Sequence, residues 1–262
     1  MNNFFVILAA GNSSRFKAKD KKQYVLYRNF RLFEHSIFKG LNSKLFKKVL
    51  LVVDNPKKIK NIYSKDVIIV KGGKERSDSS LKALKYLKRY KPKNVFIHDA
   101  ARPNFSSKLL KKMIKNMRSK KAVIPILQIN DAIKQKYGKY IYGKDRKYLF
   151  ITQTPQAFKV KEIIELHKAN KKKYHDDDFS LLKNFDKVKF IEGEKNNFKI
   201  TDQLDFKNLK DIYKSKQYVG IGFDVHRLVR KRKLYLAGLK IKSSLGTLGH
   251  SDGDPVLHSI TD

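Results

Sequence analysis

Short, strongly apolar runs that alternate with helical patterns constrain the fold of this chain more than any other feature of its sequence. The runs lie at residues 4–10, 49–53, 67–70, 95–97, 122–126 and 188–191. Their hydrophobicity is continuous rather than alternating, which is typical of strands buried on both faces of a parallel sheet.

The segments between these runs have helical periodicity. Leu81, Leu84 and Leu87 recur on one side of the segment 76–90, and the segment 108–117 repeats the pattern. Strand and helix patterns that alternate in this way predict an α/β fold with a mostly parallel sheet and right-handed crossovers. Ligands of such folds bind at the carboxyl ends of the strands.

Two stretches break the alternation. Residues 128–154 are polar and aromatic and too long for a simple connection, which predicts an extended arm. A second break near 213–217 precedes a new strand pattern with its own glycines. We therefore predict one domain over 1–215 and a second module over 216–262.

The composition of the 262 residues excludes several classes of protein. With 41% hydrophobic residues the chain can bury a core, and without cysteine it can form neither disulfides nor thiolate metal sites. No apolar run approaches the roughly 18 residues that a membrane-spanning helix needs. The run 4–10 has no basic residue before it, so we interpret it as a buried strand rather than an export signal and expect a cytoplasmic protein.

The strongly positive charge could indicate nucleic-acid binding. The chain has 60 lysines and arginines against 24 acidic residues, and its formal net charge is +36. Of the basic residues, 49 are lysines spread over the whole chain, which is more typical of a solvated coat than of a phosphate-reading surface. We therefore predict neither a specific nucleic-acid partner nor a membrane partner.

The first apolar run ends in a loop of small residues followed by cations. Ala10 and Gly11 would let backbone N–H groups approach a polyphosphate, and Arg15 and Lys22 would add positive charge. The spacing fits neither the P-loop nor the dinucleotide-binding motif. Taken alone, the segment is equally consistent with a tight strand-to-helix turn and with a phosphate site.

Later segments favour the phosphate site, because five motifs occur in the order found in one enzyme family. They are AAGNSSR with KQY (9–15 and 22–24), GGKER with DS (72–76 and 78–79), HDAARP (98–103), TPQ (154–156) and NFKIT (197–201). Together they resemble the signatures of the methylerythritol phosphate cytidylyltransferases, the IspD family.

This resemblance implies a fold, a reaction and partners. The fold would be a Rossmann-like sheet of the nucleotidyltransferase type, with a homodimer formed through the arm at 128–154. CTP and methylerythritol phosphate, a polyol phosphate, would give a cytidine diphosphate sugar alcohol and pyrophosphate, with no protein nucleophile. Catalysis would consist of positioning and charge stabilisation, and Mg²⁺ would be held mainly by the phosphates of CTP.

The resemblance also implies roles for single residues. Arg15 and Lys22 would stabilise the pentavalent phosphorus. Lys199 and Arg146 would hold the attacking phosphate, with Arg146 reaching the partner's site. The implied substrate-binding residues are Ala10, Gly11, Gly73, Arg76, Ser79, Asp99, Arg102 and Thr154.

The chain departs from the family pattern at several positions. Lys21 stands where the family usually has proline, Ala132 stands where a threonine is expected to touch the substrate, and Asp176 stands near another expected threonine. Two alternatives therefore stay open: cytidylyl transfer to another polyol phosphate, and a basic nucleic-acid-binding protein with a decayed site. The three consecutive aspartates at 176–178 could suggest a metal cluster, but we predict that they cap a helix toward Leu182.

The C-terminal module contains a set of metal-ligand types. Asp224 and His226 are two apart in a predicted strand and so share a face, and His258 follows one turn into a helix that Asp254 would cap. These three ligands and an open fourth position are typical of a catalytic zinc site, for Zn²⁺ or another divalent cation. A structural aspartate with two packed histidines is the alternative.

This module resembles the start of the methylerythritol cyclodiphosphate synthases, the IspF family, which occurs fused to IspD. The resemblance implies that His250 positions the reacting phosphate. It covers only about 218–262, so the resemblance implies an incomplete, truncated α+β module that has the metal ligands but not cyclase activity.

Overall fold

A computed structural model describes residues 2–16, 20–59, 65–170, 175–212, 225–249 and 254–261. The chain divides into two units, Met1–Tyr213 and Lys214–Asp262. The strands of the first unit are β1 (Asn3–Ala9), β2 (Leu26–Tyr27), β3 (Phe30–Arg31), β4 (Lys48–Val53), β5 (Val67–Lys71), β6 (Asn94–Asp99), β7 (Ala122–Gln128), β8 (Ile133–Tyr137), β9 (Tyr140–Lys144), β10 (Phe150–Thr152), β11 (Gln156–Lys159) and β12 (Val188–Glu192). Its helices are α1 (Leu32–Asn42), α2 (Arg76–Leu87), α3 (Ser107–Asn116), α4 (Val160–Ala169) and α5 (Gln203–Ile212).

Eight of these strands form one mixed, mostly parallel sheet. Its order is β10–β7–β11–β6–β1–β4–β5, and β12 also pairs with β7. Strands β6, β1, β4 and β5 are parallel to one another, as β12 is to β7. Strands β10 and β11 run antiparallel to their neighbours. All six predicted strands lie in this sheet, which confirms the α/β class.

Strand β1 shows why its sequence is apolar at every position. Phe5 and Ile7 pack on the face covered by α1 and α3, whereas Phe4 and Val6 pack on the face covered by α2 and α4. Successive side chains of a strand point to opposite faces, so a strand covered on both sides needs apolar residues throughout. In the described ranges, no helix combines the length and apolar character that crossing a bilayer requires.

The parallel register brings several strand ends to one edge of the sheet. Leu8 in β1 lies opposite Asp99 in β6, and Ala9 lies opposite Val53 in β4. The loops that follow these three strands therefore leave the sheet side by side. This edge is the place where ligands of parallel α/β sheets bind.

The predicted arm is present as a hairpin outside the main sheet. Strands β8 and β9 pair only with each other among the described strands, and β10 then returns to β7. Tyr137, Tyr140, Ile141 and Tyr142 of this hairpin are all more than half exposed. A cluster of exposed apolar side chains of this kind is typical of a surface that another molecule covers.

The described part of the second unit consists of short elements. They are β13 (Leu228–Arg230), β14 (Leu234–Leu236), β15 (Leu239–Ile241), β16 (Leu245–Thr247) and α6 (Pro255–Thr261). Asp254 accepts hydrogen bonds from the backbone N–H groups of Val256 and Leu257, which confirms the predicted helix cap. The same carboxylate accepts from the N–H groups of Ala237 and Gly238, so it also holds the turn between β14 and β15.

Candidate active site

An open cleft lies at the carboxyl edge of the sheet in the first unit. Loops that are far apart in sequence meet there. The predicted site residues that line it are Ala10, Gly11, Arg15, Lys22, Arg76, Ser79, Asp99 and Lys199. The cleft therefore contains most of the residues that the five motifs singled out.

The loop after β1 is braced by the buried side chain of Gln23. Its Nε2 donates to the carbonyl oxygens of Ala9 and Gly11 at 2.9 and 2.8 Å, and its Oε1 accepts from the hydroxyl of Ser13 at 2.7 Å. These three bonds fix the shape of the loop without using its backbone N–H groups. Those groups stay available to an anion, which supports the interpretation of the segment as a phosphate site.

Three cations converge on the open space of the cleft. Burial, followed by the nearby charges of Lys199 and Arg15, lowers the pKa of Lys22 to about 8. Burial and nearby positive charges both disfavour the charged form of a lysine. Cationic side chains outnumber carboxylates in the lining of the cleft, which favours an anionic ligand there.

Asp99, at the end of β6, ties two of the cleft's cations together. Its Oδ1 accepts from Nε of Arg76 at 2.9 Å, and its Oδ2 accepts from Nζ of Lys199 at 2.8 Å. Burial raises the pKa of Asp99, but Arg76 and Lys199 outweigh this and hold the pKa well below its ordinary range. Asp99 is therefore a permanent anion that orients cations and is not suited to transferring protons.

Behind the cleft, Asp178 anchors the other side of Arg76. Its Oδ2 accepts from the guanidinium of Arg76 at 2.8 Å, and its Oδ1 accepts from Nε2 of His167 at 2.8 Å and from the hydroxyl of Ser80. The prediction that the aspartates at 176–178 lie at a helix start is right for Asp177, which caps a 3₁₀ turn, and for Asp178, which lies in its first turn. The fully buried carboxylate of Asp178, however, points to Arg76 instead of capping that helix.

The same network contains three side chains of metal-ligating types close enough together to share an ion. Ligand atoms of His167, His175 and Asp178 lie within 4.8 Å of one another. The carboxylate between them is already bound by the guanidinium of Arg76, which would repel a divalent cation. We therefore assign the group to the orientation of Arg76 and not to metal binding.

A buried polar relay connects the backbones of Asp99 and Arg102. Burial lowers the pKa of His98 to about 3, so its ring is neutral. Nε2 of His98 donates to the carbonyl oxygen of Arg102 at 3.0 Å, so Nδ1 accepts from the hydroxyl of Thr154 at 3.1 Å. That hydroxyl accepts from the N–H of Asp99 at 3.0 Å. The relay fixes the loop that follows β6.

Replacing Thr154 with valine should expose the importance of this relay. The isosteric change leaves the N–H of Asp99 and Nδ1 of His98 buried without their partner, and we expect a loss of about 1–3 kcal/mol in the free energy of unfolding. Urea denaturation followed by circular dichroism measures it. Thr154→Ser keeps the hydroxyl, so its free energy of unfolding should fall by less than half as much as that of Thr154→Val. Equal losses in the two variants would contradict the relay.

The segment around Lys199 docks directly onto this loop. The N–H of Ile200 donates to the carbonyl oxygen of Ala101 at 2.8 Å, and the guanidinium of Arg102 donates to the carbonyl oxygen of Asn197 at 2.8 Å. Arg102 and Thr154 are thus buried behind the cleft wall. The bonds of Arg102 and Ile200 join the last motif to the third, HDAARP, although no pattern within one sequence could have revealed them.

Gly73 lies at the turn that leads into α2. A Cβ at this position would lie 2.2 Å from Cβ of Asp78, so only glycine fits without displacing backbone. Its N–H donates to the hydroxyl of Ser79 at 3.0 Å. This close turn places the amino-terminal end of α2 on the cleft wall, where its dipole favours an anion.

The structure does not bring every predicted residue to the cleft. Arg146 is exposed on the arm, and its guanidinium donates to the carbonyl oxygen of Asn130. In the second unit, Nδ1 of His226 donates to the carbonyl oxygen of Leu248 at 2.9 Å. Asp224 and His250 lie outside the described residues, as does the side chain of His258.

Comparisons with known proteins agree with the geometry. Residues 4–214 match the family described as IspD, 2-C-methyl-D-erythritol 4-phosphate cytidylyltransferase, and residues 217–262 match the YgbB family. A bifunctional enzyme IspD/IspF of Pelagibacter ubique is 45% identical over 264 residues, which cover 100% of this chain and 70% of the relative.

Two solved structures are similar in fold. The bifunctional IspDF from Campylobacter jejuni has a TM-score of 0.70 and 30% identity, covering 100% of this chain and 69% of that one. The 4-diphosphocytidyl-2C-methyl-D-erythritol synthase from Anaerococcus prevotii has a TM-score of 0.69 and 28% identity, covering 80% and 97%. The chain therefore belongs to the IspD cytidylyltransferases, in the form that is joined to a YgbB (IspF) segment.

Proposed function

We propose that the cleft at the carboxyl edge of the sheet carries out the cytidylyl transfer of this family. A phosphate oxygen of 2-C-methyl-D-erythritol 4-phosphate attacks the α-phosphorus of CTP. A new phosphorus–oxygen bond forms while the bond to the leaving pyrophosphate breaks, giving 4-diphosphocytidyl-2-C-methyl-D-erythritol for isoprenoid precursor biosynthesis by the non-mevalonate route. Because CTP is an intracellular metabolite, we place the reaction in the cytoplasm.

The convergence of Arg15, Lys22 and Lys199 on one cleft is the observation that carries this proposal. The transition state gathers negative charge on the phosphoryl oxygens, and preorganised cations stabilise it more strongly than they stabilise the bound substrates. We assign Arg15 and Lys22 to the reacting phosphorus and Lys199 to the phosphate of the acceptor. Asp99 and Arg102 then fix the acceptor side of the cleft.

We assign the nucleotide to the wall formed by the loop after β1 and the start of α2. The backbone at Ala10 and Gly11 faces the triphosphate. Gly73, Arg76 and Ser79 form the cytosine pocket from backbone and polar side-chain groups, with the Gly73 N–H bonded to Ser79 and the guanidinium of Arg76 held by Asp178.

Enzymes of this family depend on metal ions. Among the described residues, the carboxylates that line the cleft are Asp99 and Glu75, and both oxygens of Asp99 already accept from cations. This donor set suits a Mg²⁺ ion that arrives with CTP and is held mainly by phosphates and water. When bound, it would neutralise phosphate charge alongside Arg15 and Lys22.

We propose that the arm forms a homodimer. Its exposed aromatic side chains favour burial against a second copy, and Arg146 on the arm would reach the acceptor phosphate in the partner's cleft. Within one chain this residue contacts only the arm among the described contacts.

We place the boundary between the two modules at residues 215 and 216. In the second, His226 has the tautomer that a ligating Nε2 requires, because Nδ1 donates to a backbone carbonyl. We assign Zn²⁺ or a similar cation to it together with Asp224 and His258, and the reacting phosphate to His250.

The proposed reaction predicts that the protein releases pyrophosphate only when both CTP and an acceptor are present. A coupled phosphate assay with Mg²⁺ measures it. The rate with methylerythritol phosphate should exceed the rate with other polyol phosphates. A higher rate with another acceptor would favour the alternative suggested by Ala132. Salt-sensitive duplex binding with no turnover would instead favour a nucleic-acid-binding protein.

The lowered pKa of Lys22 predicts an alkaline decline in activity. The ammonium form predominates below its pKa of about 8, so kcat/KM for CTP should fall about tenfold per pH unit above that value. Profiles of kcat/KM between about pH 6.5 and 9.5 measure the decline, because this parameter reports the free enzyme. Lys22→Arg stays charged and should remove the decline. If kcat/KM declined with pH in that variant as in the parent, the titration of another group would cause the decline.

A further inference from the structure

Lys22 lies between two residues that contact the same carboxylate. Asp54 follows β4 at the carboxyl edge of the sheet. Its Oδ2 accepts from Nζ of Lys21 at 2.7 Å, and its Oδ1 accepts from the phenol of Tyr24 at 2.6 Å. One side chain therefore binds the segment on both sides of Lys22.

The backbone at Lys21 has the geometry of a proline. Its φ is −62° and its ψ is 136°, and a proline ring fixes φ near −65°. Proline is also the residue that the family pattern has at this position. A lysine can adopt this extended geometry but does not restrict φ to it as proline does, so contacts elsewhere in the molecule would have to hold the segment in place.

The carboxylate of Asp54 is suited to supply that constraint. Burial raises its pKa, but the hydrogen bonds from Lys21 and Tyr24 outweigh this and keep the pKa below its ordinary value, so both bonds are charge-assisted at neutral pH. The ring of Tyr24 packs edge-on against Phe33 of α1 with centroids 5.7 Å apart. The segment from Lys21 to Tyr24 therefore contacts both the residue that follows β4 and the core.

We propose that Asp54 is a positioning residue that holds Lys22 at the cleft and replaces the constraint that a proline at position 21 would supply. The inference rests on the role proposed for Lys22. It concerns a residue outside the motifs and outside the cleft lining, and it explains how this chain keeps its site geometry without the proline.

A double-mutant cycle between Asp54→Asn and Lys21→Pro tests the proposal. Asp54→Asn should lower kcat about fivefold in the parent chain, the effect of a partly exposed ion pair and one hydrogen bond. Lys21→Pro should stay within about twofold of the parent, because proline fits the existing φ. In the Lys21→Pro background, Asp54→Asn should then lower kcat by less than about twofold.

Further variants separate the positioning of Lys22 from a general loss of stability. Lys21→Met removes the charge without restricting φ, so its kcat should fall about as much as that of Asp54→Asn. The melting temperature should change by less than about 2 °C in every single variant, whereas a merely structural role would lower it together with kcat. An equal loss from Asp54→Asn in both backgrounds, or no loss in the parent, would overturn the proposal.

Lys22→Ala distinguishes the failure of this inference from that of the proposed function. If Lys22→Ala retains activity, the assigned role of Lys22 is wrong, and the positioning role is lost with it. If Lys22→Ala is inactive while Asp54→Asn is fully active, the assignment of Lys22 stands and only the positioning role is overturned.

Discussion

Replacing Lys22 with alanine is expected to lower kcat for cytidylyl transfer by about 100- to 1,000-fold. The structure places this ammonium in a partly buried position beside Lys199 and Arg15, where water screens it poorly. A cation in such a place stabilises developing phosphoryl charge far more than it would in solution. Single-turnover measurements of pyrophosphate release would report the chemical step itself.

The matched control for this prediction is Lys108→Ala. Lys108 is exposed on α3, and its loss removes the same charge from the coat of lysines without touching the cleft. Its kcat should stay within about twofold of the parent. If the two variants were equally active, the positive charge at the cleft would have no special role and the assignment of Lys22 would fail.

Replacing Asp178 with asparagine is expected to destabilise the first unit by about 3 kcal/mol. The change leaves the guanidinium of Arg76, whose side chain is only 16% exposed, with Asp99 as its remaining carboxylate partner. Removing one member of a buried ion pair costs more than the pair itself contributes, because the other charge stays buried. Denaturant unfolding at neutral pH measures the loss.

At acidic pH, the free energies of unfolding of Asp178→Asn and of the parent should become more similar. Burial raises the pKa of Asp178, but Arg76 and His167 outweigh it and hold the pKa well below the ordinary value of 3.8. The carboxylate therefore stabilises the fold at all pH values above 3.8, and this stability is lost as the pH falls from there toward the lowered pKa.

Glu165→Gln on the exposed face of α4 is the control and should change the free energy of unfolding by less than about 0.5 kcal/mol. A loss for Asp178→Asn no larger than that of the control would show that the buried network does not support the fold. A difference that persisted undiminished below the ordinary carboxyl range would contradict the role of its charge.

The sheet could be predicted from the sequence because burial on both faces leaves a strong local signal. Every residue from Phe4 to Ile7 is apolar since helices cover each side of β1. The antiparallel direction of β10 and β11 left no such signal, because strand direction depends on the path of the chain through the arm.

The cations of the site could be predicted because each lies within a recognisable motif. Arg15, Lys22 and Lys199 lie together as the motifs implied. Three aspartates in a row predict a helix start, which is where Asp177 and Asp178 lie, but only the fold shows that the carboxylate of Asp178 turns inward to Arg76.

The supporting roles of Gln23 and Asp54 could not be predicted from the sequence, although Gln23 lies within the KQY motif. Gln23 and Asp54 act through bonds to backbone atoms and to side chains that lie up to 33 positions away. Their residue types are ordinary for a loop, and their roles depend on which strand ends meet at the edge of the sheet.

Calorimetric titration of CTP into the parent chain and its Arg15→Ala and Lys22→Ala variants, in the presence of Mg²⁺, is the most direct test of the central claim. If distant cations surround a triphosphate in this cleft, CTP binds the parent, and each variant weakens binding by at least about tenfold while Lys108→Ala does not. The same affinity in all four proteins would show that the nucleotide binds elsewhere.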